Sequence, residues 1–118
     1  MADFTKMEPN AGQAAGLLQT MANKNRLLLL CQLVDGERSV GDLTDASGLR
    51  QATVSQHLAK LRQHALVSTR REAQSIYYRL AGDDVRAIVA TLYALYCASD
   101  ADRMTVLSAL ESVLSPSR

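Results

Sequence analysis

Two sets of residues in this chain have side chains suited to recognition or reaction. The first lies in the run from Gln51 to Arg62, where Gln51, Thr53, Ser55 and Gln56 offer short amide and hydroxyl groups. Such groups match the donors and acceptors on base edges in the major groove of duplex DNA. They reach them only if nothing longer on the same face holds the helix away. The second set is Cys31 and Cys97, the only two thiols. Thiols can be linked by oxidation, or each can serve as a small buried hydrophobe. The two histidines, His57 and His64, stand seven residues apart on one helical pattern. That spacing cannot close on one ion as an i,i+4 pair can, so both read as packing or surface residues and no metal is expected.

The elements that must carry these residues follow from periodicity. Ala14, Leu17, Leu18 and Met21 predict a first helix from about Asn10. Asn23 is suited to cap a second, with Leu27, Leu30, Cys31 and Val34 as its apolar stripe, stopped by Asp35 and a left-handed Gly36. Ser39 with Asp42 resembles a capping box for a short third helix that ends at Gly48. A fourth runs from about Arg50 to His64, its core stripe being Val54, His57, Leu58, Leu61 and Ala65. Ala52, Gln56, Ala59 and Gln63 then point outward, with Thr53, Ser55 and Lys60 on the flanks. That small, polar outer face permits a close approach to bases.

Strand character follows in residues 67–71 and 75–80, where Ile76, Tyr78 and Leu80 share one face. Residues 72–74 supply the turn, although they include no glycine. A fifth helix begins near Asp83 with Val85, Ile88, Val89, Leu92 and Tyr96 in line. Ser99 is suited to cap a sixth that carries Val106, Leu107, Leu110, Val113 and Leu114 and stops at Ser115 and Pro116. The reading is mainly α with a small β-hairpin, a winged helix-turn-helix. Residues 1–9 form a flexible terminus, 10–98 the folded unit, and 99–115 a C-terminal helix packed on it.

Composition narrows the function classes. A chain of 118 residues forms one domain, small for an enzyme with its own pocket. No run approaches the roughly 20 apolar residues that span a bilayer, and no secretory pattern opens the chain, so the cytoplasm is expected. The net charge of +1 is unevenly spread. Between Arg50 and Arg79 six basic residues (Arg50, Lys60, Arg62, Arg70, Arg71 and Arg79) face one acid, Glu72. A basic patch of this kind is either a solvated face or the footprint of a nucleic-acid surface.

The order of elements resembles the ArsR/SmtB family of dimeric winged-helix repressors over roughly residues 12–98. The residues that carry the resemblance are Met21 to Asn23 before Arg26 and Leu27, Ser39 to Leu43, Val54 to Leu58, Leu61 and Arg62, then Arg71 to Gln74 before Tyr77 and Tyr78. The resemblance implies a homodimer built on the first and fifth helices, with residues 39–48 and 50–64 as the helix-turn-helix on double-stranded operator DNA. It assigns base reading to Gln51, Thr53, Ser55 and Gln56, and phosphate or minor-groove contact to Lys60, Arg70, Arg71 and Gln74. Arg50 departs from the pattern, because the family commonly has a Ser or Thr cap there. The family's metal sites would require cysteine near Val40 to Leu43, or histidine within residues 83–97, and both are missing.

Cys31 and Cys97 also look like the dithiol of the BigR/SqrR/HlyU group of this family, whose members sense reactive sulfur species or oxidants. In that fold the stripe of Cys31 faces the side of the fifth helix that bears Val89, Tyr93 and Cys97. The resemblance therefore implies release of DNA when a disulfide or polysulfide bridge links the two thiols, with no cofactor. Alternatives are a regulator with inert thiols, acting constitutively or by displacing another DNA-binding protein, a thiol enzyme, or a helical adaptor. The enzyme reading would want a cysteine at a helix N-terminus or beside a cation, and neither thiol shows this.

Overall fold

The computed structural model describes residues 3–114. Ahead of the expected first helix come a helical turn, α1 (Phe4–Met7), and a 3-10 turn (Glu8–Asn10), with no buried side chain. Helix α2 (Ala11–Met21) follows, burying Thr20 and Met21 while Leu18 faces outward. The corner to α3 (Lys24–Gln32) is fixed by side chains. Asn23 Oδ1 accepts from the N–H groups of Asn25 and Arg26, both at 3.0 Å, and Arg26 Nε donates to the Thr20 carbonyl at 2.6 Å. Asn23 thus satisfies two of the amides that a helix start leaves without partners.

The fully buried residues here are Leu29, Leu30 and Leu33, whereas Leu27, Cys31 and Val34 pack around the core's edge. Four consecutive leucines, Leu27 to Leu30, give periodicity no phase to choose. Packing against the later helices selects it instead. Gly36 has φ 145°, outside the left-handed helical region expected of it.

After Gly36 comes β1 (Arg38–Ser39), a strand that the sequence pattern did not suggest. It pairs antiparallel with β3 (Ser75–Leu80), setting Arg38 opposite Tyr78 and Ser39 opposite Tyr77. On the other side β3 pairs with β2 (Val67–Glu72), from Val67 opposite Leu80 to Glu72 opposite Ser75. The expected hairpin is therefore part of a three-stranded antiparallel sheet in the order β1-β3-β2. The turn works without glycine because Ala73 takes φ 55°.

Helix α4 (Val40–Ser47) starts as expected, Ser39 Oγ accepting from the Asp42 N–H at 3.0 Å, and ends on Gly48 at φ 71°. Helix α5 (Gln51–Gln63) buries Val54, Leu58 and Leu61 completely. His57 is half-buried. Ala65 is not in the core stripe: the helix has already ended, and Ala65 is exposed at φ 62°. It turns the chain so that the Leu66 N–H bonds the Leu61 carbonyl at 2.9 Å. A left-handed residue closing a helix in this way is commonly glycine.

Helix α6 (Asp83–Tyr96) buries Val85, Val89 and Ala94, with Ile88 and Leu92 partly covered. Tyr96 continues the spacing of its stripe but is 82% exposed, because the core ends a turn earlier. Helix α7 (Asp100–Leu114) begins with Ser99 Oγ accepting from the Asp102 N–H. It packs against α6 but buries no residue within this chain, and Leu107, Leu110, Val113 and Leu114 are all exposed. The stop expected at Ser115 and Pro116 lies outside the described residues. The radius of gyration is 16.1 Å, against about 13–14 Å for a compact chain of this length.

Candidate nucleic-acid interface and thiol pair

Helix α5 divides cleanly by face. At 100° per residue, the buried Val54, Leu58 and Leu61 cluster on one side, and Ala52, Gln56, Ala59 and Gln63 stand opposite, all four exposed. Gln51, Ser55 and Arg62 form one exposed flank. Thr53 and Lys60 form the other, Thr53 half-buried and Lys60 exposed. Arg50 is the N-cap residue, extended and without a side-chain cap bond. The first-turn amides of α5 thus lack the hydroxyl or carboxylate acceptor that a Ser, Thr or Asp would supply. Helix α4 packs against α5 through the corner closed by Gly48. This holds α5 as the second member of a helix-turn-helix pair.

The wing is buried at its base and exposed toward its tip, and its pairing fixes which side chains share a face. Val67, Thr69 and Arg71 lie on the face that packs into the core with α5, opposite Leu80, Tyr78 and Ile76. Ser68, Arg70 and Glu72 lie on the other face. Arg71 and Gln74 are exposed, near or at the tip. Arg70 is engaged on every side. Its Nε donates to Glu37 Oε2 at 3.0 Å and its Nη2 to Glu37 Oε1 at 2.9 Å, Nη1 pairs with Glu72, and the guanidinium carbon lies 4.9 Å from the centroid of the Tyr77 ring. Hydrogen bonds from Arg70 hold the Glu37 carboxyl below the usual range, and the two carboxylates raise the guanidinium's pKa further. Among the described residues the ion pairs are those of Arg70, so Lys60, Arg62 and Arg71 keep uncompensated charge.

Glu37 is the residue sequence reasoning missed. It lies 33 positions from Arg70, in a loop before a strand of two residues, and no local pattern pointed to it. The basic patch is accordingly smaller in three dimensions than along the chain.

The thiols lie on two helices that pack together, α3 and α6. Cys31 is half-buried within α3, and Cys97 caps the C-terminus of α6 and is exposed. Tyr93, expected on the inward side with Cys97, is 51% exposed in the single chain. Burial pushes the Cys31 thiol up from its ordinary value, and the field of Cys97 pushes it the same way. Both are free. Arg86 on α6 donates to the Val34 carbonyl at 2.6 Å and fastens the two helices. Among the described residues, no group of three His, Cys, Asp or Glu side chains could hold a metal ion.

The profile of bacterial regulatory proteins of the arsR family matches residues 23–69. The transcriptional activator HlyU of Vibrio cholerae is 46% identical over 95 residues, 80% of this chain and 88% of HlyU. A structure of reduced HlyU from the same organism superimposes with a TM-score of 0.75 at 48% identity, covering 78% of this chain and 97% of that one. The transcriptional repressor BigR of Xylella fastidiosa gives 0.77 at 41% identity, covering 83% of this chain and all of BigR. A homodimeric winged helix-turn-helix DNA-binding domain from Mycobacterium bovis gives 0.67 at 34% identity, covering 80% and 86%.

Proposed function

The chain belongs to the ArsR family of bacterial regulatory proteins, and on that premise we propose that it is a dimeric repressor switched by its two thiols. Its relatives are DNA-binding transcriptional regulators and not enzymes, and it is a transcriptional regulator of the same type. In the proposed complex Gln51, Thr53, Ser55 and Gln56 of each protomer meet base edges of operator DNA. Lys60, Arg71 and Gln74 hold the flanking backbone or minor groove. The family pattern places Arg70 with them.

Two features support a dimer. The elongated chain leaves Leu18, Tyr93, Tyr96 and the stripe of α7 uncovered, and the Mycobacterium bovis relative is homodimeric. A symmetric pair presents two α5 helices to half-sites about 34–36 Å apart. The proposed site of action is the cytoplasm, and no described helix is long and apolar enough to cross a membrane.

The observation that carries the switch is the placement of Cys31 and Cys97 on two helices that pack together, α3 and α6. A direct disulfide needs Cα atoms about 4.4–6.8 Å apart. Forming it takes two electrons and two protons from the thiols. Peroxide accepts them to give water, and one persulfide accepts them to give a thiol and hydrogen sulfide. Two persulfides leave one extra sulfur in the bridge, with two thiols and one hydrogen sulfide as products. Either link ties α3 to α6 and shifts the α5 pair away from its half-site spacing.

Gel-shift titrations before and after persulfide treatment test this, with Cys31→Ser and Cys97→Ser alongside. Wild type should release DNA and both variants should hold it. Equal release by all three would leave the second reading, a family regulator with inert thiols that acts constitutively or by displacing another DNA-binding protein.

A further inference from the structure

We propose that Arg70 is a positioning residue that fixes the wing through Glu37, and that Arg71, its neighbour in β2, supplies the phosphate contact. The inference rests on the reading that the wing touches DNA, and it takes Arg70 out of the set of side chains that do so.

The geometry separates the two arginines. Glu37 comes two residues before Ser39, which pairs with Tyr77, which in turn pairs with Arg70. One row across the sheet therefore brings the end of α3 to the middle of the wing. The Glu37 carboxylate grips the Nε and Nη2 edge of Arg70, Glu72 takes Nη1, and Tyr77 lies 4.9 Å beneath the guanidinium carbon. Side-on bidentate geometry of this kind fixes orientation as well as distance.

The charges agree with this division. Arg70 with Glu37 and Glu72 sums to −1, and Arg79 on the same face brings the group to zero, so a phosphate nearing this cluster meets no net attraction. Arg71 has no such partner and continues the face of the hairpin that packs with α5. The two neighbouring arginines thus leave the hairpin from opposite faces, and only Arg71 does so unpaired. Without the clamp the hairpin would pivot about β1, two residues long, and the Arg71 position would be averaged over a wider arc.

The two roles predict opposite signs for one substitution. Glu37→Gln removes a negative charge near DNA and frees Arg70. If Arg70 were a phosphate contact held back by Glu37, the variant would bind more tightly with a steeper salt dependence. If Arg70 positions the wing, binding weakens despite the more favourable charge.

The test uses the reduced full-length protein and a duplex that wild type selects from a randomised pool, titrated at several salt concentrations. Arg71→Met should lower the slope of log affinity against log salt by about one per protomer. Glu37→Gln and Arg70→Met should each weaken binding several-fold with the slope nearly unchanged, and the double variant should be no weaker than the worse single one. Tighter binding by Glu37→Gln, or a slope reduced by about one in Arg70→Met, overturns the assignment. If wild type selects no duplex, the DNA reading itself fails. The clamp is then judged by hydrogen exchange at residues 71–74, which should quicken in both clamp variants; unchanged exchange rejects it.

Discussion

Arg86 and Val34 are 52 residues apart in sequence and joined by a 2.6 Å hydrogen bond from guanidinium to main-chain carbonyl. The bond closes the end of α3 onto the first turns of α6 and so sets the relation between the helices that carry the thiols. Arg86→Met removes the donor and leaves a partly buried carbonyl unpaired. A charged hydrogen bond of this type contributes about 1.5–3 kcal/mol. Thermal unfolding should therefore move down by several degrees. The same substitution at the exposed Arg103 should leave the midpoint where it was.

The two thiols should differ in reactivity. Cys97 is exposed, whereas burial and the neighbouring thiol both raise the pKa of Cys31. Raising the pKa of an acid keeps it protonated to higher pH, and the thiolate is the reactive form. Alkylation followed by mass spectrometry should label Cys97 first at neutral pH. The Cys31 rate should still be climbing above about pH 8.5, the ordinary thiol value. Because the unfolded thiol ionises first, Cys31's contribution to stability is complete below that value and declines as pH rises further.

Two exchanges of alanine and glycine should act in opposite directions. Ala65 sits at φ 62° and Gly48 at φ 71°. A side chain in this region costs about 1 kcal/mol or more, so Ala65→Gly should stabilise and Gly48→Ala should destabilise, each by about that amount. Denaturant midpoints at constant slope would check both. A loss of stability in Ala65→Gly would mean that the methyl group contributes packing that its exposure does not suggest.

The stripe on α7 should report on assembly and not on the fold of one chain. Leu107 and Leu110 are exposed, so Leu107→Glu with Leu110→Glu removes little burial within a protomer. Sedimentation velocity should show the double variant dissociating at concentrations where wild type remains dimeric. Identical sedimentation across a wide dilution series would place the dimer contact elsewhere.

The legible parts of this molecule were those governed by local chemistry. Asn23 and Ser39 cap helices because a short acceptor meets free amides a residue or two away, and Gly48 ends α4 because its conformation needs no Cβ. The outward face of α5 followed from a clean 3.6-residue period over Val54, Leu58 and Leu61. What escaped depends on distance or on ambiguity. The four leucines opening α3 allow several phases, and tertiary packing chooses among them. Ala65 looked helical because its spacing fits, but the helix had already closed on the Leu66 amide. Strand β1 is too short to alternate, and with it went the Glu37 partner that occupies Arg70. Gln51, Ser55, Gln56 and Lys60 on α5 are exposed and Thr53 is half-buried, while Arg70 in the wing is paired with Glu37 and Glu72.

Strand β2 lies at the edge of the sheet, with no neighbour beyond it among the described residues. A bare strand edge invites another copy to add itself, the first step toward aggregates. Here the strand's outer half carries Arg70, Arg71 and Glu72, so a second copy stacking in register would bury like charges against one another. Charge at this margin thus keeps the protein dispersed, a service separate from any partner the wing is built to meet.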